Sequence, residues 1–160
     1  MSTPGRIFNW QLVHYARKTI NYSDSNISTG VEVGTFPGGA ILLCGSVAYA
    51  AATTPAVAVP GAGPILFINR TAWDGSAAVT AGTNGSSYNN LFGTADITEA
   101  TKGVYCATAD VVYNSDGATG AGFIILAATT DTTIYAKSTG SGATTGKGTF
   151  VVPFIVDNDN

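Results

Sequence analysis

Runs of β-branched and aromatic residues recur along the chain, each closed by a cluster of Gly, Asn, Asp, Thr or Pro. That is the rhythm of strands and turns. No segment carries the 3.6-residue period of an amphipathic helix. The runs predict strands over 11–22, 29–36, 40–50, 64–70, 104–113, 122–128, 132–138 and 147–156. In "TDTTIYAKS", Thr132, Ile134 and Ala136 share one face and Thr133, Tyr135 and Lys137 the other. Strict alternation of this kind marks a strand with one buried side.

The intervening segments read as turns. "NSDGATGAG" (114–122) is rich in turn formers, and "AVAVPGAGP" (56–64) is a loop stiffened by two prolines. The stretch 74–97 reads as a long excursion with one short strand around Ala77–Ala81. "DITEATK" (96–102) predicts a short helix, with Asp96 as N-cap and Glu99 three residues on, as in a capping box. Many short strands at regular spacing point to a sandwich or barrel, and eight strands in two four-stranded sheets make a jelly roll. The expected fold is therefore all-β: an antiparallel β-sandwich of the eight-stranded jelly-roll type. It forms one domain over 11–160, preceded by an N-terminal arm, 1–10.

Composition sharpens this picture. Charged residues are only 11% of the chain, against an ordinary fraction of about 25%. So little charge fits either a secreted, compact β protein or a surface much of which is covered by a partner. Ten acidic and seven basic residues give a net charge of −3. There is no basic stripe to displace counterions, so nucleic acid is not an expected partner. The Met1 end has no apolar signal core, and the long uncharged run between Glu32 and Arg70 is broken by four prolines. No membrane span is expected. Cys44 and Cys106 lie in apolar runs and read as buried free thiols.

Candidate chemistry is sparse. "GSGATTGKGTF" (140–150) has the look of a phosphate loop, but the first required glycine is Ser141 and the residue after Lys147 is Gly148. A strand follows instead of a helix, so no helix N-terminus is aimed at a phosphate. The segment reads as a Gly-rich hairpin loop joining 132–138 to 147–156. His14 is the single histidine, no G-x-S-x-G is present, and no Cys/His set could hold zinc. "NSDG" and "DSN" are too short for a calcium loop. No catalytic residue, metal or cofactor is expected. Asn26-Ile27-Ser28, Asn69-Arg70-Thr71 and Asn84-Gly85-Ser86 match the glycosylation triplet.

Two segments resemble a known group. "ARKTINYSDSNISTGVEVGTFPGGAIL" (16–42) is similar to the opening of small β-rich virion structural proteins of tailed bacteriophages, through Tyr22-Ser23-Asp24, Thr29-Gly30, Gly34-Thr35-Phe36-Pro37 and Gly39-Ala40. "ADITEATKGVY" (95–105) and "TTIYAKSTGSGATTGKGTFVVPFIV" (132–156) resemble the same group, in which Gly146-Lys147-Gly148 would be a hairpin turn. The middle, 56–94, departs from it. The resemblance implies a capsid decoration (cement) protein or head-fibre base on the virion surface. Its expected partners are further copies of itself, as a homotrimer, and the major capsid protein. A fibre module binding host surface or carbohydrate is the alternative, and a small secreted β-sandwich hydrolase is a third reading, disfavoured by the missing nucleophile and base. On either virion reading the expected contact residues are Arg6, Phe8, Trp10, Tyr15, Arg17 and Trp73, the arginine and aromatic positions of the arm, first strand and long loop.

Overall fold

A computed structural model describes residues 13–43, 65–93, 97–106, 123–126, 129–139 and 143–156. The arm with Arg6, Phe8 and Trp10, the loops 56–64 and 114–122, Cys44 and Asp96 lie outside the described residues, as does the side chain of Cys106. Nine strands and no helix are present among them: β1 His14–Asn21, β2 Val31–Phe36, β3 Ile41–Leu43, β4 Leu66–Thr71, β5 Ala78–Gly82, β6 Gly103–Cys106, β7 Phe123–Ile125, β8 Thr132–Thr139 and β9 Lys147–Ile155.

The strands form two sheets, one of six strands and one of three, with every ladder antiparallel. The described strands divide six and three, where the sequence led to four and four. β9 organises the large sheet. β1 lies along one edge of it, from His14 opposite Phe154 to Asn21 opposite Lys147. The other edge is shared end to end. β4 pairs with residues 147–151 and β3 with 154–155, and β6 and β7 extend these two outward. Pro153 falls in the gap between the β4 and β3 ladders, where a missing N–H costs least on that edge. In the small sheet β8 lies between β2 and β5, and β2 is bulged between Glu32 and Gly34.

The core lies between the sheets. Phe150 meets Phe67 at a centroid distance of 4.6 Å and Phe92 at 5.5 Å, and Phe36 stands edge-on to Phe154 at 5.0 Å. Ile20, Leu42, Val79, Ile134, Ala136 and Val152 complete the centre. β8 buries Ile134, Ala136 and Ser138 on one face, as its alternation predicts. Residues 148–153 of β9 are buried on both faces, the physical meaning of its unbroken apolar run.

This difference corrects the expected hairpin. β8 suits a sheet with one wet face, and β9 suits the middle of a covered one. They therefore join different sheets and are not the two arms of one hairpin.

The described part of the expected helix at 96–102 is a turn. Its carbonyls are claimed from outside. Asn69 Nδ2 donates to the Glu99 and Thr101 carbonyls at 2.8 Å each, the Trp73 N–H donates to the Glu99 carbonyl at 3.0 Å, and the Tyr105 hydroxyl lies within 2.9 Å of Thr98 O and 2.8 Å of Thr101 O. The Glu99 carboxylate accepts from the Val79 N–H at 2.8 Å, fixing the start of β5 instead of reaching back to an N-cap. Side chains from β4 and β6 thus replace the i to i−4 bonds a helix would need. Asn69 is buried at 2% exposure and tied into this turn, so its triplet is no glycan acceptor in the fold.

Candidate interaction surface

The "TTGKG" segment was the strongest motif in the sequence, and its geometry is structural. The Asp74 carboxylate accepts the Thr144 and Thr145 N–H groups at 2.6 and 2.9 Å and the Thr144 hydroxyl at 2.5 Å. These bonds hold the Asp74 carboxyl down at about 2, well below its ordinary value, although the side chain is open to solvent. The Thr145 hydroxyl donates to Ala72 O at 3.0 Å. The donors a phosphate would need are thus occupied by the chain's own carboxylate.

Each glycine here makes room for a ring. Gly146 has φ +147, and a Cβ there would stand 2.2 Å from Trp73; at Gly148 it would stand 2.0 Å from Phe67. Lys147 is exposed and opens β9. Trp73, an expected contact residue, is itself 3% exposed and part of the core. Its ring is used within the chain, closing the end of the sandwich over Gly146. Periodicity could not reveal this, because the ring's partners are 70 residues away in sequence.

β1 is different. Its outer face carries Tyr15, Arg17 and Thr19, opposite Pro153, Val151 and Thr149 of β9. Tyr15 is 58% exposed, and the Arg17 guanidinium lies 6.0 Å from its ring centroid, at the outer limit of a cation–π contact. The Thr19 and Thr149 hydroxyls are 2.9 Å apart and lock the register. His14 is tilted over Phe154 at 5.4 Å, a packing contact. Among the described residues the exposed large hydrophobics are Val13, Tyr15 and Tyr22, all in or next to β1. β9 is the described strand that pairs with β1, so its second edge forms no ladder with another described strand. Of the six expected contact residues, Tyr15 and Arg17 are therefore together on the surface, and Trp73 is withdrawn from it.

No group of three or more His, Cys, Asp or Glu side chains that could hold a metal occurs among the described residues. No described helix is long and apolar enough to cross a membrane.

No protein-family model matches the chain, and no curated protein matches it. Among solved structures, the fold is similar to a chain of the cyanophage Pam1 capsid asymmetric unit. The identity is 14% and the TM-score 0.54, over 98% of this chain and 93% of that one. At this identity the likeness is one of fold, and it spans both chains nearly end to end.

Proposed function

We propose that the chain is a non-enzymatic structural protein of a phage virion, a decoration (cement) protein seated on the outside of the head. The observation that carries this reading is the nearly full-length fold similarity to a chain of a phage capsid asymmetric unit. Two further features support it. The glycine-rich motif is filled by Asp74 and by aromatic rings, which removes the best candidate for small-molecule chemistry. The described surface concentrates its exposed apolar residues along β1, immediately after residues 1–12.

On this reading β1 and the arm before it form the contact, with Arg6, Phe8, Trp10, Tyr15 and Arg17 as anchors. Buried aromatic and arginine anchors are each worth about 2 kcal/mol or more. The copies act as a homotrimer. Three linked contacts raise the effective concentration of each, so a modest individual contact still holds the particle surface. The bound protein braces the major capsid protein against the pressure of packaged DNA.

Imaging particles assembled with and without the protein tests this directly. The expected result is added density on the outer face of the head, and DNA release at lower temperature from undecorated particles. Deleting residues 1–10 should leave a folded protein that no longer coats particles. Density on the tail, or undecorated heads that hold DNA equally well, would overturn the proposal. Full decoration by the truncated protein would move the anchor from the arm to the loops of 74–97.

A further inference from the structure

The loop after β5 is built on carboxamides. Asn84 Oδ1 accepts the Asn89 and Asn90 N–H groups at 2.9 and 3.3 Å, and Asn84 Nδ2 donates to Asn89 Oδ1 at 2.8 Å. Asn90 Oδ1 accepts the Thr83 N–H at 2.8 Å, and its Nδ2 donates to Thr83 Oγ1 at 3.0 Å. Two tethers close the loop from outside. Lys137 Nζ donates to Ser86 O at 2.6 Å, and Tyr88, held at φ 43, lays its ring 4.9 Å from that of Tyr135.

One peptide link in this loop is chemically weak. Asn84 precedes Gly85, the single Asn-Gly pair in the chain. Glycine has no Cβ to obstruct approach of its backbone nitrogen to the preceding side-chain carbonyl. Gly85 is exposed, and a Cβ built there would meet nothing within 4 Å, so neighbouring packing does not shield the link.

We infer that Asn84-Gly85 is a latent self-modification site gated by the carboxamide network. The Gly85 nitrogen gives its proton to hydroxide and attacks Asn84 Cγ. The Cγ–Nδ2 bond breaks and ammonia leaves with a proton, giving a five-membered succinimide. Water then opens either imide carbonyl, yielding aspartate or isoaspartate. One water is consumed, one ammonia is released, and no oxidant is needed.

In the closed loop both reactants are engaged. The Asn84 carboxamide is held by three hydrogen bonds, and the Gly85 N–H donates to Thr83 O at 3.1 Å. Reaction requires these bonds to release, so its rate follows the population of the open loop. The products are not equivalent. Aspartate still accepts from Asn89 and Asn90, with a full charge. Isoaspartate adds a methylene to the backbone between the partners of the Gly85–Thr83 and Ser87–Asn84 turn bonds and breaks their match. Either product adds one negative charge to an exposed loop.

Peptide mapping by mass spectrometry after incubation of the full chain in mildly alkaline buffer tests this. Asn84 should convert fastest in urea, more slowly in native Asn89→Ala, and slowest in the native protein, by about tenfold or more relative to urea if the loop is open a tenth of the time or less. Should Asn89→Ala disturb the fold, Lys137→Met removes the Ser86 tether without touching a carboxamide, and it should accelerate conversion likewise. Equal rates in native and unfolded chain would refute the gate. So would a folded tether variant no faster than the parent. Conversion in urea no faster at Asn84 than at Asn89 and Asn90 would refute the site itself.

Discussion

Replacing Gly148 with alanine tests the central packing claim of the fold. The added Cβ would stand 2.0 Å from Phe67 Cζ and 2.3 Å from Cε2, far inside contact distance. The ring cannot swing away freely. Phe67 is fully buried and packs on Phe150 at 4.6 Å, and Phe150 in turn meets Phe92 at 5.5 Å. Overpacking of a filled core costs about 1–3 kcal/mol, and the tight site puts this substitution in the upper half of that range. The unfolded chain loses freedom when glycine becomes alanine, which offsets about 0.4–1 kcal/mol. The net loss is about 1–2 kcal/mol. In a domain of this size it lowers Tm by ~2–8 °C, at about 2–4 °C per kcal/mol. Urea and thermal unfolding followed by tryptophan fluorescence measure it, since Trp73 lies against Gly146 two residues away. Phe67→Leu is destabilising by itself, yet combined with Gly148→Ala it should recover part of the loss, with a coupling of about 0.5 kcal/mol or more. A Gly148→Ala protein as stable as the parent, or strict additivity of the pair, would refute the account of why glycine stands here.

Three further outcomes follow from the same geometry. The Asp74 carboxyl titrates at about 2 in the fold against an ordinary 3.8. Its contribution is therefore present above about pH 4 and is lost as pH falls toward 2, so Asp74→Asn should lower Tm at neutral pH and match the parent near pH 2. Lys147→Ala should change stability by less than ~0.5 kcal/mol and confer or abolish no nucleotide binding, as titration calorimetry with ATP would register. Tyr15→Ala should leave the melting curve nearly unchanged but reduce coating of particles in a sedimentation assay; undiminished coating would remove Tyr15 from the contact.

Much of the fold could be read from local pattern, and the exceptions share one cause. The alternation of 132–138 and the apolar run of 147–156 place β8 and β9 correctly, because each strand's burial is written in its own residues. Their assignment to different sheets is not local. It depends on which neighbours cover the second face of β9, and the connecting glycines look the same either way. The turn at 97–102 fails as a helix for a similar reason. Glu99 sits where a capping box wants it, yet Asn69, Trp73, Tyr105 and Val79 compete for the same groups, and they come from 20 or more residues away except for Tyr105. The burial of Trp73 was not legible, because a lone tryptophan in a polar loop gives no hint of a distant glycine beneath it. Tyr15 and Arg17 lie on the exposed side of β1, where burial alternates along the strand.

The low charge of the chain takes on a narrower meaning once the surface is resolved. Scarce charge led to the expectation that much of the surface is covered. The described surface is instead wetted by neutral groups such as Ser25, Asn26, Thr29, Ser76, Ser87 and Thr130, all exposed. On the outer face of the small sheet, the Thr35 hydroxyl donates to Glu32 at 2.9 Å and lies 2.9 Å from the Thr133 hydroxyl, giving polarity with little net charge. Such a face needs no partner to stay in water. The surface that stands out is β1 and its flanks: Val13, Tyr15 and Tyr22 expose apolar surface there, beside Arg17. That strand pairs with β9 alone among the described strands, and residues 1–12 lead directly into it. A partner that gains affinity by burying apolar and arginine surface finds that combination at β1, and the polar outer face of the small sheet does not offer it.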